Sequence, residues 1–134
     1  MKILICGLPG SGKTWLAERL IKVIENCAWY NADIVRKSAN DWDFSMEGRI
    51  RQANRMKTFA DFEKQNGRWV MCDFVAPTEK AREAFNPDFI IWLDTIKEGR
   101  FEDTNKMFEQ PSKTDIKITK FLSDKEIENL AKEI

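Results

Sequence analysis

Apolar positions along this chain fall into short continuous runs separated by longer amphipathic stretches. Lys2 to Cys6 is apolar after its lysine and stops at Gly7, which predicts a buried strand breaking into a turn. Beyond Lys13, Leu16, Leu20, Val23 and Ile24 recur at helical spacing, so the order strand, loop, helix is expected. Ala28 to Tyr30 is a second short run and leads into Asn31-Ala32-Asp33. From Ser45 to Gln65 breakers are few, and Ile50, Ala53, Met56, Phe59, Ala60 and Phe62 predict one long helix that Asn66-Gly67 ends. Trp69 to Cys72 predicts a third strand ending at Asp73, and Thr78 to Phe85 a short helix capped by Thr78. Phe89 to Leu93 predicts a fourth strand ending at Asp94, and Ile116 to Thr119 a fifth. Ser123 and Glu126 have the spacing of a capping box opening a last helix. Only residues 97–114 lack clean periodicity.

Strands that read as continuous apolar runs and alternate with helices pair in parallel and are covered on both faces. The expected fold is therefore a doubly wound α/β sheet of about five strands, of the P-loop NTPase type once the loop described below is included. At 134 residues the chain suits one domain, 1–134. In such sheets ligands gather at the carboxyl ends of the strands. Here those ends carry Gly7 to Thr14, Asn31 and Asp33, Asp73, and Asp94.

Composition narrows the chemistry by exclusion. Lys and Arg total 22 and so do Asp and Glu, so there is no global basic field for nonspecific nucleic-acid binding, and an anion has to be held locally. No apolar run reaches membrane-spanning length, and residues 2 to 6 give way to Gly7, Pro9 and Gly10 too soon for a secretory signal, so a cytoplasmic protein without a membrane partner is expected. Histidine is absent, which removes a histidine base; Cys6, Cys27 and Cys72 each lie in an apolar stretch and read as buried small hydrophobes. Trp15, Trp29, Trp69 and Trp92 fall in predicted helix or strand and are expected to serve the core.

Residues 7 to 14, Gly-Leu-Pro-Gly-Ser-Gly-Lys-Thr, match G-x-x-x-x-G-K-[ST] between a predicted strand and a predicted helix. Glycines let successive backbone N–H groups turn inward on phosphate, and the helix amino terminus adds its positive dipole end. Gly7, Pro9, Gly10, Ser11, Gly12, Lys13 and Thr14 are thus the expected nucleotide-binding set, with Lys13 on the β- and γ-phosphates and Thr14 on Mg²⁺. Thr104-Asn105-Lys106-Met107 lacks the aspartate of a guanine-reading motif, which argues against a GTPase switch.

Past this loop the chain resembles the adenylylsulfate kinase family, from about residue 2 to 94 and more weakly to the end. The family's D-G-D-N-x-R corresponds to Asn31-Ala32-Asp33-Ile34-Val35-Arg36, its G-F-S-x-x-D-R to Asp43-Phe44-Ser45-Met46-Glu47-Gly48-Arg49, and its F-I-S-P to Phe74-Val75-Ala76-Pro77. The later Y-E-x-P resembles Phe108-Glu109-Gln110-Pro111. The resemblance implies ATP with Mg²⁺ as donor and adenosine 5′-phosphosulfate as the acceptor, phosphorylated on its 3′-hydroxyl. It assigns Asp33 as the base, beside Lys13; Arg36, Phe44, Arg49 and Phe74 as the acceptor's contacts; and Arg100 and Lys106 to a shortened lid within 97–114.

Departures from the pattern are as informative. The family's first aspartate is Asn31, its asparagine in R-x-x-N-I-R-R is Gln52, and Asp73 stands where the family usually has serine. An aspartate directly after a strand beside a P-loop suits the water shell of Mg²⁺, which makes Thr14, Asp33 and Asp73 the expected metal-side residues. Asp33 also stands where a helix cap belongs. The residues alone leave other uses open: a kinase of another nucleotide, of a polynucleotide end or of a sugar-like hydroxyl, or a nucleotide-binding regulatory module without catalysis.

Overall fold

The computed structural model describes residues 1–134 and contains one five-stranded sheet. Its strands are β1 (Lys2–Gly7), β2 (Cys27–Asn31), β3 (Trp69–Asp73), β4 (Phe89–Leu93) and β5 (Ile116–Ile118). Their spatial order is β2-β3-β1-β4-β5, and every pair is parallel, as continuous apolar runs require. The helices are α1 (Lys13–Val23), α2 (Ala32–Ala39), α3 (Met46–Gln65), α4 (Glu79–Phe85), α5 (Glu102–Met107) and α6 (Asp124–Glu133).

Two cores lie on the two faces of the sheet, because successive strand side chains point to opposite sides. Ile3 and Ile5 of β1 join Leu16 and Leu20 of α1 and Ile127 and Leu130 of α6. Leu4 and Cys6 join Val35, Ala53, Met56, Ala60 and Phe85 on the α2, α3 and α4 side. All six residues of β1 are buried, so the strand that delivers the P-loop is the most enclosed of the five.

The caps follow their expected chemistry. Thr78 accepts from the Ala81 N–H, and Ser123 with Glu126 forms the reciprocal capping box. Two helices lie outside the set expected from the sequence. α2 begins directly at the end of β2, capped by Asn31, whose side-chain oxygen accepts from the Ile34 N–H; Asp33 lies in the first turn and is not the cap. α5 is a six-residue helix within 97–114, held by tertiary contacts. The tryptophans divide: Trp92 is buried, but Trp15, Trp29 and Trp69 only lean on the core from its margin. Trp29 is drawn outward by the hydrogen bond of its indole N–H to Asp73 at the sheet's carboxyl edge, described next.

Candidate active site

The P-loop emerges from β1 at the centre of the sheet. Gly10 and Gly12 hold φ of 88° and 100°, the left-handed region that side chains resist, and Gly12 is the residue from which α1 starts. The Ser11 N–H donates to the Leu8 carbonyl at 3.1 Å, closing the turn. The Lys13 ammonium lies back over its own loop, donating to the same carbonyl at 3.0 Å. Burial pulls its pKa down to about 8, against the opposing pull of Asp73, Cys6 and Asp33. Burial disfavours the charged form of Lys13, and an anion seated beside it would favour that form.

Asp73 ends β3 and is 1% exposed. Its carboxylate accepts from the Thr14 hydroxyl at 2.9 Å, the Trp29 indole N–H at 2.6 Å and the Asn31 amide at 3.0 Å. Burial raises its pKa, and these three hydrogen bonds oppose that rise. Asn31 and Asp73 are register partners on β2 and β3. The two departures from the family pattern therefore form a pair: an aspartate at position 31 would set two carboxylates at hydrogen-bond distance, whereas the amide donates to both Asp73 and Thr14. The residues match a magnesium site of the P-loop type, with one hydroxyl and one carboxylate supplied by the chain. No group of three acidic, thiol or imidazole side chains gathers into a closed metal cage.

One open cavity of about 1070 Å³ runs along this edge. Its walls include Pro9, Gly10, Gly12, Lys13 and Thr14 of the loop, Asn31 and Asp33 after β2, and Asp73 and Phe74 after β3. Gly7 and Ser11 stand behind the loop rather than on the wall, with Ser11 wholly buried. Asp33 is solvent-exposed within the cavity.

Beyond Asp33 the wall is aromatic and cationic. Phe44 and Arg49 line it, and so do Arg100 and Phe101. The Arg49 guanidinium lies 5.3 Å from the Phe44 ring centroid and donates to the Thr104 hydroxyl of α5 at 2.7 Å, tying α5 to α3. Arg36 is buried behind this wall. It stacks on Phe44 at 4.4 Å and donates to the Asp41 and Asp43 carbonyls, so its contacts hold the loop that carries Phe44. Arg51 and Arg55 grip the same loop through Asp41, whose carboxyl their hydrogen bonds hold well below the usual range.

Segment 97–114 is anchored at several points. Gly99 and Asn105 exchange hydrogen bonds, the Glu109 N–H donates to the Pro77 carbonyl, and Ser112 donates to Glu79. Arg100 faces the cavity, whereas Lys106 faces solvent and pairs with Glu102 at 3.4 Å. The sequence reading places Trp15 and Trp29 in the core and gives no site role to Phe101, Thr104 or Phe121. The position of Trp15 immediately after Thr14 was the one available cue; the others reach the site only through tertiary folding.

A glycine loop between a central parallel strand and its helix, with a carboxylate at the end of the neighbouring strand, defines a P-loop nucleotide-binding protein. A family model described as adenylylsulphate kinase matches residues 1–91, and the chain belongs to that family. A probable adenylyl-sulfate kinase of Aeropyrum pernix is 34% identical over 83 residues, covering 58% of this chain and 45% of that relative. The match thus spans less than half the relative's length. The APS kinase CysC of Mycobacterium tuberculosis, in complex with AMPPNP and APS, superposes with a TM-score of 0.74 at 22% identity, over 98% of this chain and 93% of that one. A sugar kinase from Janibacter sp. HTCC2649 has the same fold, with a TM-score of 0.74 at 16% identity, over 97% and 91%.

Proposed function

We propose that the chain is an ATP-dependent phosphotransferase that moves the γ-phosphoryl group to a hydroxyl of a small acceptor, adenylylsulfate being the best match. The observation that carries this reading is that Lys13, Asp33, Asp73, Phe44 and Arg49 face one continuous cavity. Donor and acceptor would thereby share a single space. Lys13 and the loop's backbone N–H groups hold the phosphates in line with the acceptor oxygen. Asp33, the exposed carboxylate of that cavity, takes the proton from the attacking hydroxyl as the new P–O bond forms and the bond to the β-phosphate oxygen breaks. Thr14 and Asp73 are the residues that would hold Mg²⁺, which when bound neutralises charge building on the phosphates. Phe44 offers a ring face to a planar base, and Arg49 a cation to the acceptor's anionic group.

The Aeropyrum pernix relative and the Mycobacterium tuberculosis complex support this acceptor class. Three free cysteines accord with a reducing, cytoplasmic setting. Labelled ATP offered with adenylylsulfate, other nucleotides, polynucleotide ends and sugars tests the reading directly. Transfer to adenylylsulfate is expected, with Asp33→Asn lowering it by about 10²- to 10⁴-fold while ATP still binds. Product on a different hydroxyl and none on adenylylsulfate would reassign the acceptor. Tight ATP binding with no product on any acceptor would leave a regulatory module.

A further inference from the structure

Segment 97–114 reaches from the donor half of the cavity to the acceptor half. At its start Gly99 packs on the P-loop, so closely that a Cβ there would stand 3.0 Å from the Pro9 carbonyl oxygen. Gly99 also exchanges hydrogen bonds with Asn105, which pins α5 beside the loop independently of Thr104. Thr104 is 4% exposed, lines the cavity and accepts from Arg49 Nη2 at 2.7 Å. A helix of six residues with no side-chain cap thus bridges Pro9 and Arg49.

Arg49 needs such a partner. It is 9% exposed, and its hydrogen bonds within the chain go to neutral oxygens, from Nε to the Phe44 carbonyl at 3.1 Å and from Nη2 to the Thr104 hydroxyl. Burial lowers its pKa, the Arg36 guanidinium lowers it further, and no carboxylate opposes them. A buried guanidinium held by neutral acceptors keeps its charge available for an incoming anion, and its planar fork binds well only in the right plane. The bond at Nε alone leaves the fork able to tilt about that contact. The second bond, at Nη2, stops the tilt and leaves Nη1 as the nitrogen without a partner in the chain.

We infer that Thr104 is a positioning residue for the acceptor: its hydroxyl holds the Arg49 guanidinium in the plane that meets the acceptor's anionic group. The inference rests on the reading of Arg49 as an acceptor contact. It makes α5, and not α3 alone, decide how firmly an anionic acceptor is held.

Valine has the shape of threonine without the hydroxyl, so the role can be tested with little change in packing. Steady-state transfer from ATP to adenylylsulfate, together with calorimetric ATP dissociation constants, is to be measured on the whole chain and on Thr104→Val, Thr104→Ser, Arg49→Met and the double variant Thr104→Val/Arg49→Met. Thr104→Val is expected to raise the KM for adenylylsulfate by about tenfold, the size of a hydrogen bond to a charged group, with kcat and ATP binding within about twofold. Thr104→Ser keeps the hydroxyl and stays within about threefold of the wild type. In the Arg49→Met background Thr104→Val adds less than about twofold, because its partner is already gone. An unchanged KM in Thr104→Val overturns the inference while the acceptor role of Arg49 stands. So does an equal loss with and without Arg49, a loss that serine does not restore, or a matching loss of ATP binding, each of which a packing role for Thr104 would give. An unchanged KM in Arg49→Met, or no product from adenylylsulfate with the wild-type chain, overturns the acceptor reading and this inference with it.

Discussion

Lys13 is the side chain on which the donor half of the cavity turns. Burial desolvates it, and its pKa falls to about 8 from 10.5. A bound polyphosphate favours the charged form, so above about pH 8 binding must take up a proton. ATP affinity is expected to fall as pH rises past 8, by at most about tenfold per unit, and Lys13→Met should flatten the profile. Calorimetry from pH 7 to 10 measures this. The stability of the unliganded protein runs the other way. The folded pKa lies below the unfolded one, so the unfolded chain binds more protons between about 8 and 10.5, and stability rises across that window. Asp73 shows how neighbouring residues constrain one another. A buried carboxylate beside position 31 requires a donor there, and Asn31 supplies it while also capping α2.

The loop between α2 and α3 carries Phe44, and its position is set by how closely it passes over α3. At Gly48 a Cβ would lie 2.1 Å from the Asp43 carbonyl oxygen, the acceptor of an Arg36 hydrogen bond. Replacing an interior helical glycine by alanine ordinarily gains about 0.5–1 kcal/mol. Here the clash is with backbone, and overpacking of that kind costs about 1–3 kcal/mol, so the sign reverses. Gly48→Ala should lower the unfolding free energy and, by displacing Phe44, raise the acceptor's KM more than it changes ATP binding. Denaturant melts and steady-state kinetics test both halves. The same closeness explains why the motif around Phe44 could be read from sequence but its mechanical role could not. The spacing shows which residues are present; that Arg36 holds the loop from behind follows from the burial of α2.

Across the whole molecule, chemistry and anchoring occupy opposite ends of the sheet. Lys2, at the amino end of β1, is 2% exposed, donates to the Phe85 carbonyl at 2.6 Å and pairs with Asp61 at 2.7 Å. Removing it strands a buried acceptor, which costs about 1–3 kcal/mol. Lys2→Met should therefore melt at a lower temperature yet keep the ATP dissociation constant within about twofold, because the P-loop leaves the other end of the strand. Thermal unfolding with and without nucleotide separates the two effects. A parallel affinity loss would show that strand β1 couples its ends.

The local order of the chain was enough to define the five strands, the long helix α3, the caps at Thr78 and Ser123 and the P-loop, because each depends on neighbours within a few residues. Hydrophobic period, capping spacing and glycine placement are short-range properties, and Gly7 to Thr14 carries its phosphate chemistry within eight residues. Helices α2 and α5 escaped that reading. The first starts without a break from a strand, and the second is held by Thr104 on Arg49 and Asn105 on Gly99 instead of by an apolar stripe. Which side chains share the cavity was fixed only by the strand order β2-β3-β1-β4-β5, which draws Trp29 and Asn31 onto Asp73 and brings Phe121 over Gly12. Those meetings join residues tens of positions apart. Their energies lie in burial and hydrogen-bond geometry that exist once the sheet has formed, so no linear pattern encodes them.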